Sequence, residues 1–225
     1  MKNRPKLLIF DVNETLLDLK QLESSVAKVL GGKDELVKLW FTTMLHYSLV
    51  ETTTDSYRDF GEIGAAVMTM VAKDHGIQLS MEDAKEAIKP ITSLPPHDDV
   101  KSGLQSLKDA GYRMITLTNS PPKVVEAQMK NAGLDGFFEQ LLSIAEIEKY
   151  KPDLGTYRWA AEKTGVAVGD CMLIAAHGWD ITGALRAEMR AAFLARLGKS
   201  LYPLAPEPEI VGKDLIEAAG MLIAM

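Results

Sequence analysis

The chain opens with a four-residue apolar run, Leu7-Leu8-Ile9-Phe10, that stops at the acid Asp11 and passes into the turn Asp11-Val12-Asn13-Glu14-Thr15-Leu16. A short apolar run bounded in this way predicts a buried strand that delivers a carboxylate to a tight polar turn. Toward the C-terminus, strand-like and helix-like stretches alternate. A polar helix is predicted from about Asp99 to Asp109, Gly111 stops it, and Arg113-Met114-Ile115-Thr116-Leu117 is the next strand. Pro121 and Pro122 start a helix that ends near Ala132-Gly133, following the preference for proline first and glycine last. Pro152 opens another through Trp159 and Ala161 to Gly165, Cys171 to Ala175 forms a strand, and Ala191 to Ala195 forms one more after a helix containing Leu185. Strands alternating with helices predict a parallel sheet covered on both faces, a doubly wound, Rossmann-like α/β core.

Residues 17–96 break this rhythm with long helical periodicity and no convincing strand. Leu36, Leu39, Trp40, Thr43 and Met44 fall at helical spacing, as do Ile63, Ala66, Val67, Met70 and Val71. Such stripes are first of all core. They predict an inserted helical cap over 17–96, leaving 1–16 and 97–225 as the α/β core domain. Ser93-Leu94-Pro95-Pro96-His97 is the return linker, since paired prolines stop a helix and stiffen a crossing.

Composition narrows the partners. A chain of 225 residues with 47% hydrophobic content buries a substantial core. A net charge of −6 argues against a nucleic-acid partner, while leaving room for an anionic small molecule in a locally positive pocket. The single cysteine, Cys171, excludes an internal disulfide and sits in an apolar run as a buried thiol does. The N-terminus lacks the apolar region of a secretory signal and no stretch approaches a membrane span, so the expectation is a soluble cytoplasmic protein.

An acid after a strand is in itself more often a turn former or a helix cap. Three further polar clusters change its meaning: Thr118-Asn119-Ser120, Lys149-Tyr150-Lys151-Pro152 and His177-Gly178-Trp179-Asp180. A parallel sheet gathers residues from the carboxyl ends of its strands, so these clusters are expected to meet Asp11 in one crevice. Two carboxylates, a lysine and short hydroxyl or amide donors suit covalent catalysis by an aspartate held ionised by the lysine.

In this order of motifs the chain resembles the haloacid dehalogenase superfamily, and within it the type II 2-haloacid dehalogenases. The resemblance covers nearly the whole chain: strand and nucleophilic Asp11, helical cap, Thr118-Asn119-Ser120, Lys151-Pro152-Asp153, and the final acid Asp180. Trp40 to Ser48 is similar to the family's substrate-facing cap helix and Tyr57-Arg58-Asp59-Phe60 to its next one. Both Lys149 and Lys151 are candidate lysines, and the family pattern, with the lysine directly before the proline, selects Lys151.

The resemblance implies a displacement at C2 of a 2-haloalkanoate by Asp11, then hydrolysis of the resulting ester to a 2-hydroxy acid of inverted configuration. It implies that Lys151 stabilises Asp11, that Thr15 and Thr118 bind carboxylate oxygens, that Asn119 cradles the halide, and that Asp180 activates water with help from His177. Tyr157 sits at an active-site position, and Leu45, Phe60 and Trp179 supply apolar walls. Asn13 stands where phosphatases of the superfamily carry the acid that protonates the leaving group, and an amide cannot do so. A magnesium site built on Asp11 and Asp180 would be thin, so no metal or other cofactor is expected.

Three positions depart from that branch. Phe41 stands where the best-known dehalogenases carry an arginine, Ala175 where a serine is frequent, and His177 where an asparagine is frequent. Arg58 and His46 lie nearby in sequence and could substitute, and each also reads as a solvated surface residue. Two other readings stay open: a magnesium-dependent phosphatase of the same superfamily, and a catalytically idle relative kept as a binding protein. Apolar cap faces are compatible with a homodimer.

Overall fold

All four residues of Leu7–Phe10 are fully buried, as expected of a strand with helices on both its faces, and they form the central strand β1. In the computed structural model, which describes residues 3–225, the following elements are α1 (Lys20–Val29), α2 (Asp34–Thr53), α3 (Phe60–Asp74) and α4 (Met81–Ile88). Then come α5 (Val100–Asp109), β2 (Arg113–Thr118), α6 (Pro122–Ala132), β3 (Gln140–Ser143), α7 (Leu154–Thr164) and β4 (Cys171–Ala175). The chain ends with α8 (Gly178–Arg186), β5 (Arg190–Leu194), β6 (Ile210–Gly212) and α9 (Leu215–Ile223).

Among the described residues the strands form one parallel sheet in the order β3-β2-β1-β4-β5-β6. Strand order reverses between β1 and β4, which pair with Phe10 opposite Ile174. At such a switch point the loops leave in opposite directions and open a crevice at the carboxyl ends of the strands. Asp11 and His177 are the residues that enter it. The β1 and β4 side chains and their neighbours build the core, each large aliphatic contributing about 1.5–3 kcal/mol through burial.

Local signals set the helix ends. α6 stops at Gly133, whose φ of +65° is open to glycine and strained for other residues. Pro152 precedes α7 rather than opening it: the Asp153 side chain caps the helix by accepting from the Gly155 N–H at 2.8 Å, so the first helical residue is Leu154. Ala195 falls just outside β5, and β2 runs one residue further than its apolar stretch, to Thr118. β3, β6 and α9 are additions that the alternation of the sequence leaves unread.

Helices α1 to α4 form the segment between β1 and α5. The chain leaves and returns side by side: Leu17 bridges to Pro96, the Asp18 N–H donates to the Pro95 carbonyl, and the His97 N–H donates to that of Leu16. Leu36, Trp40, Met44, Ile63, Val67 and Val71 are buried, whereas Leu39 and Met70 of the same stripes are exposed. Trp40 also donates from its indole to the Gly64 carbonyl at 2.8 Å, locking α2 to α3. Among the described residues no helix is long and apolar enough to cross a membrane.

Candidate active site

Asp11, Lys151 and Asp180 lie 140 and 29 residues apart in sequence and share one ammonium. Lys151 Nζ donates to Asp11 Oδ1 at 2.8 Å and to Asp180 Oδ2 at 2.7 Å, with all three side chains buried. The Lys151 backbone N–H is in turn held by Asn119 Oδ1 at 3.1 Å, which ties the lysine loop to the end of β2. Asp180 sits on the first turn of α8, and its Oδ1 accepts from the Tyr157 hydroxyl at 2.5 Å. Gly183 makes room for that contact: a Cβ there would lie 2.5 Å from the Tyr157 hydroxyl oxygen and 2.6 Å from Pro152 Cβ.

The second oxygen of Asp11 has its own donors. Thr15 Oγ1 donates to Asp11 Oδ2 at 2.6 Å while accepting from the Ala176 N–H at 2.9 Å. His177 Nδ1 lies 3.2 Å from the same oxygen, and its Nε2 lies 2.7 Å from Glu14 Oε2. The other Glu14 oxygen pairs with Lys199. Lys199, Glu14, His177, Asp11, Lys151 and Asp180 thus form a line of alternating charge through the crevice.

Protonation follows from these contacts. Burial pushes Asp11 up, but Lys151 and His177 outweigh it and hold the carboxyl well below the usual range. Burial also raises Asp180, and here the Asp11 charge adds to it against Lys151 and Tyr157. One ammonium serves both acids, and of the two Asp11 is held ionised the more strongly while Asp180 is the more basic carboxylate. Burial lowers His177, yet Asp11 and Glu14 overcome it and bring the imidazole to about 9. Lys151 is raised despite burial by its two carboxylates, and burial and Asp180 keep Tyr157 a neutral donor.

The remaining predicted residues divide between the crevice and its walls. Asn13 accepts from Gln128 Nε2 at 2.8 Å and donates to Ser120 Oγ at 3.1 Å, facing a small apolar gap lined also by Phe41 and Phe60. Thr118 Oγ1 accepts from the Ser120 N–H at 3.1 Å within its own turn, so it shapes the loop beside the site. A larger cleft of about 670 Å³ is lined by Phe41, Leu45, His177, Trp179 and Lys199. Trp179 stacks on His177 with ring centroids 5.1 Å apart. Lys149 turns away to an ion pair with Asp55, which leaves Lys151 as the site lysine.

Neither Arg58 nor His46 reaches this cleft. Arg58 lines a separate outer cleft with Glu51 and Glu62, and His46 is exposed with its ring against Tyr47. The cation at the mouth is Lys199, from the loop between β5 and β6. Sequence reasoning missed both Lys199 and Glu14. Glu14 has a φ of +61°, and an acid at a backbone position suited to glycine leaves no mark in sequence.

The residues present do not fit magnesium. Lys151 already takes one oxygen from each of Asp11 and Asp180, and Asn13 is committed to Ser120 and Gln128. Among the described residues no three His, Cys, Asp or Glu side chains are grouped to hold a metal ion.

Known proteins resemble this chain in sequence and in fold. The curated (S)-2-haloacid dehalogenase of Pseudomonas sp. strain YL is 24% identical over 205 residues, covering 91% of this chain and 88% of that protein. The (S)-2-haloacid dehalogenase 4A of Burkholderia cepacia is 26% identical over 200 residues, covering 88% and 87%. An L-2-haloacid dehalogenase from Xanthobacter autotrophicus, solved with chloropropionic acid covalently bound, shares the fold at a TM-score of 0.90 and 20% identity, over 98% of this chain and 99% of that one. The family described as haloacid dehalogenase-like hydrolase matches residues 5–188, most of the chain, and this protein belongs to it.

Proposed function

We propose that this protein is a hydrolytic dehalogenase that converts 2-haloalkanoates into 2-hydroxyalkanoates through an ester on Asp11. The observation that carries the reading is an ionised, buried Asp11 held by Lys151, next to an Asn13 that has no proton to give a leaving group. Halide needs none.

Asp11 attacks C2 opposite the halogen; the carbon–oxygen bond forms as the carbon–halogen bond breaks, and the electron pair leaves with the halide. Water then attacks the Asp11 acyl carbon and passes a proton to Asp180, whose burial makes it the more basic carboxylate. Collapse releases the 2-hydroxy acid and restores Asp11. Phe41, Leu45, Phe60 and Trp179 supply dry walls for the alkyl group and halogen, and Lys199 at the mouth attracts the substrate carboxylate. The Asn119 amide nitrogen remains as a donor toward the halide, since its oxygen already serves Lys151. No metal takes part in this scheme, and the proposed setting is the cytoplasm.

The test is chloride release from (S)-2-chloropropionate and a panel of related haloacids, with Asp11→Asn alongside. Many turnovers per enzyme, lost in the variant, are the expected result. No release above the variant on any haloacid overturns the reading.

A further inference from the structure

We propose that His177 and Thr15 form an oxyanion hole around Asp11 Oδ2 that drives hydrolysis of the Asp11 ester, with Glu14 positioning His177 for that task. The inference rests on the ester chemistry proposed above. It begins with a count of lone pairs. Thr15 Oγ1 at 2.6 Å and His177 Nδ1 at 3.2 Å occupy the two acceptor directions of Oδ2. Oδ1 receives Lys151 at 2.8 Å and keeps its second lone pair. Oδ1 is therefore the attacking atom, and once it is bonded to C2, Oδ2 is the acyl carbonyl oxygen with two donors already aimed at it.

Both donors are fixed from behind. The Ala176 N–H donates to Thr15 Oγ1 at 2.9 Å, which directs the hydroxyl hydrogen to Asp11. Glu14 Oε2 holds His177 Nε2 at 2.7 Å, and Trp179 stacks on the imidazole face. The charged groups around His177 are Asp11 and Glu14 in direct contact, Lys199 on the far side of Glu14, and Lys151 with Asp180 beyond Asp11. Two carboxylates against one buried ring keep it an imidazolium at neutral pH. Glu14 holds this post from a left-handed backbone position that favours glycine, with its side chain largely buried.

The arrangement discriminates between ground and transition states. In the resting enzyme the imidazolium faces the Asp11 carboxylate, and alkylation removes that charge. Attack by water moves the carbonyl electron pair onto Oδ2 and restores an anion between the same donors, so the interaction is stronger at the transition state than in the ester. The water oxygen bonds to the acyl carbon and its proton goes to Asp180. On collapse the bond from the acyl carbon to Oδ1 breaks, Oδ1 departs as the product hydroxyl with the proton from Asp180, and the second water proton is released to solvent.

Rapid-quench kinetics with (S)-2-chloropropionate and mass analysis of the Asp11 peptide test the assignment. His177→Ala is expected to keep a chloride burst near one equivalent per active site, to slow later turnover on the order of 10²–10³-fold, and to accumulate the ester. The burst itself reports a folded site. Glu14→Gln is expected to keep the burst and to move the alkaline loss of turnover to lower pH, with Glu14→Asp restoring part of it. Burst and turnover falling together in both variants, or no ester in either, overturns the oxyanion hole alone. Absence of a burst from the unaltered protein on every haloacid overturns the dehalogenase reading and the hole with it.

Discussion

Lys151 Nζ lies 2.8 Å from Asp11 Oδ1 in an ion pair whose side chains are 1% and 7% exposed. Removing one partner of a buried pair leaves an uncompensated charge, which typically destabilises by about 3–5 kcal/mol. Lys151→Met strands Asp180 as well as Asp11. It is expected to lower the unfolding free energy from urea titration by an amount in that range and to abolish halide release, measured on the same preparation.

His177 carries a pH-dependent share of stability. Its folded value of about 9 lies above the ordinary 6.5, so its contribution is fully present below pH 6.5 and is lost as pH rises through about 9. The full amount is on the order of 3 kcal/mol. Urea midpoints of the unaltered protein and His177→Gln are expected to differ most below pH 6.5 and to converge above 9.

Gly183 exists for proximity. A Cβ at this position would meet Tyr157 and Pro152 well inside contact distance. Gly183→Ala is expected to displace Tyr157 from Asp180, lowering turnover about tenfold and stability by about 1–3 kcal/mol, the range for overpacking a core. Tyr157→Phe separates the two effects, because it removes the hydrogen bond without adding volume. Turnover and thermal midpoint of both variants are the measurement.

Phe41 borders the same cleft as Lys199 and His177 without contributing charge. Phe41→Arg adds a guanidinium facing an anionic substrate, and a charge-assisted hydrogen bond is worth about 1.5–3 kcal/mol. KM for 2-haloalkanoates is expected to fall about tenfold or more. An unchanged KM would mean that the substrate carboxylate binds away from the α2 face.

Much of the charged line through the crevice was legible residue by residue. Asp11 and Thr15 stand in the turn after β1 and Asp180 on α8 just after β4, where a parallel sheet gathers its polar groups, while Lys151 and Tyr157 come in and after the longer loop that follows β3. Glu14 and Lys199 were not legible. One stands in the Asp11 turn, where an acid looks like ordinary turn chemistry, and the other on an exposed-looking loop far along the chain. Arg58 and His46 show the reverse: both are near Phe41 in sequence, yet they face other surfaces of the cap.

The sequence by itself determined the alternation of strand and helix, the helical insertion, the carboxylate after β1 and the absence of an acid at Asn13, because periodicity and residue chemistry are local properties. Only the tertiary structure decided which oxygen of Asp11 each donor holds, which acid is the more basic, and that His177 and Lys199 join Lys151 as cations of the crevice. Those outcomes depend on distances of about 3 Å between residues as much as 166 positions apart, and on burial that makes such distances matter. Neither quantity exists until the sheet closes and α8 and the loop after β5 come down on the Asp11 turn.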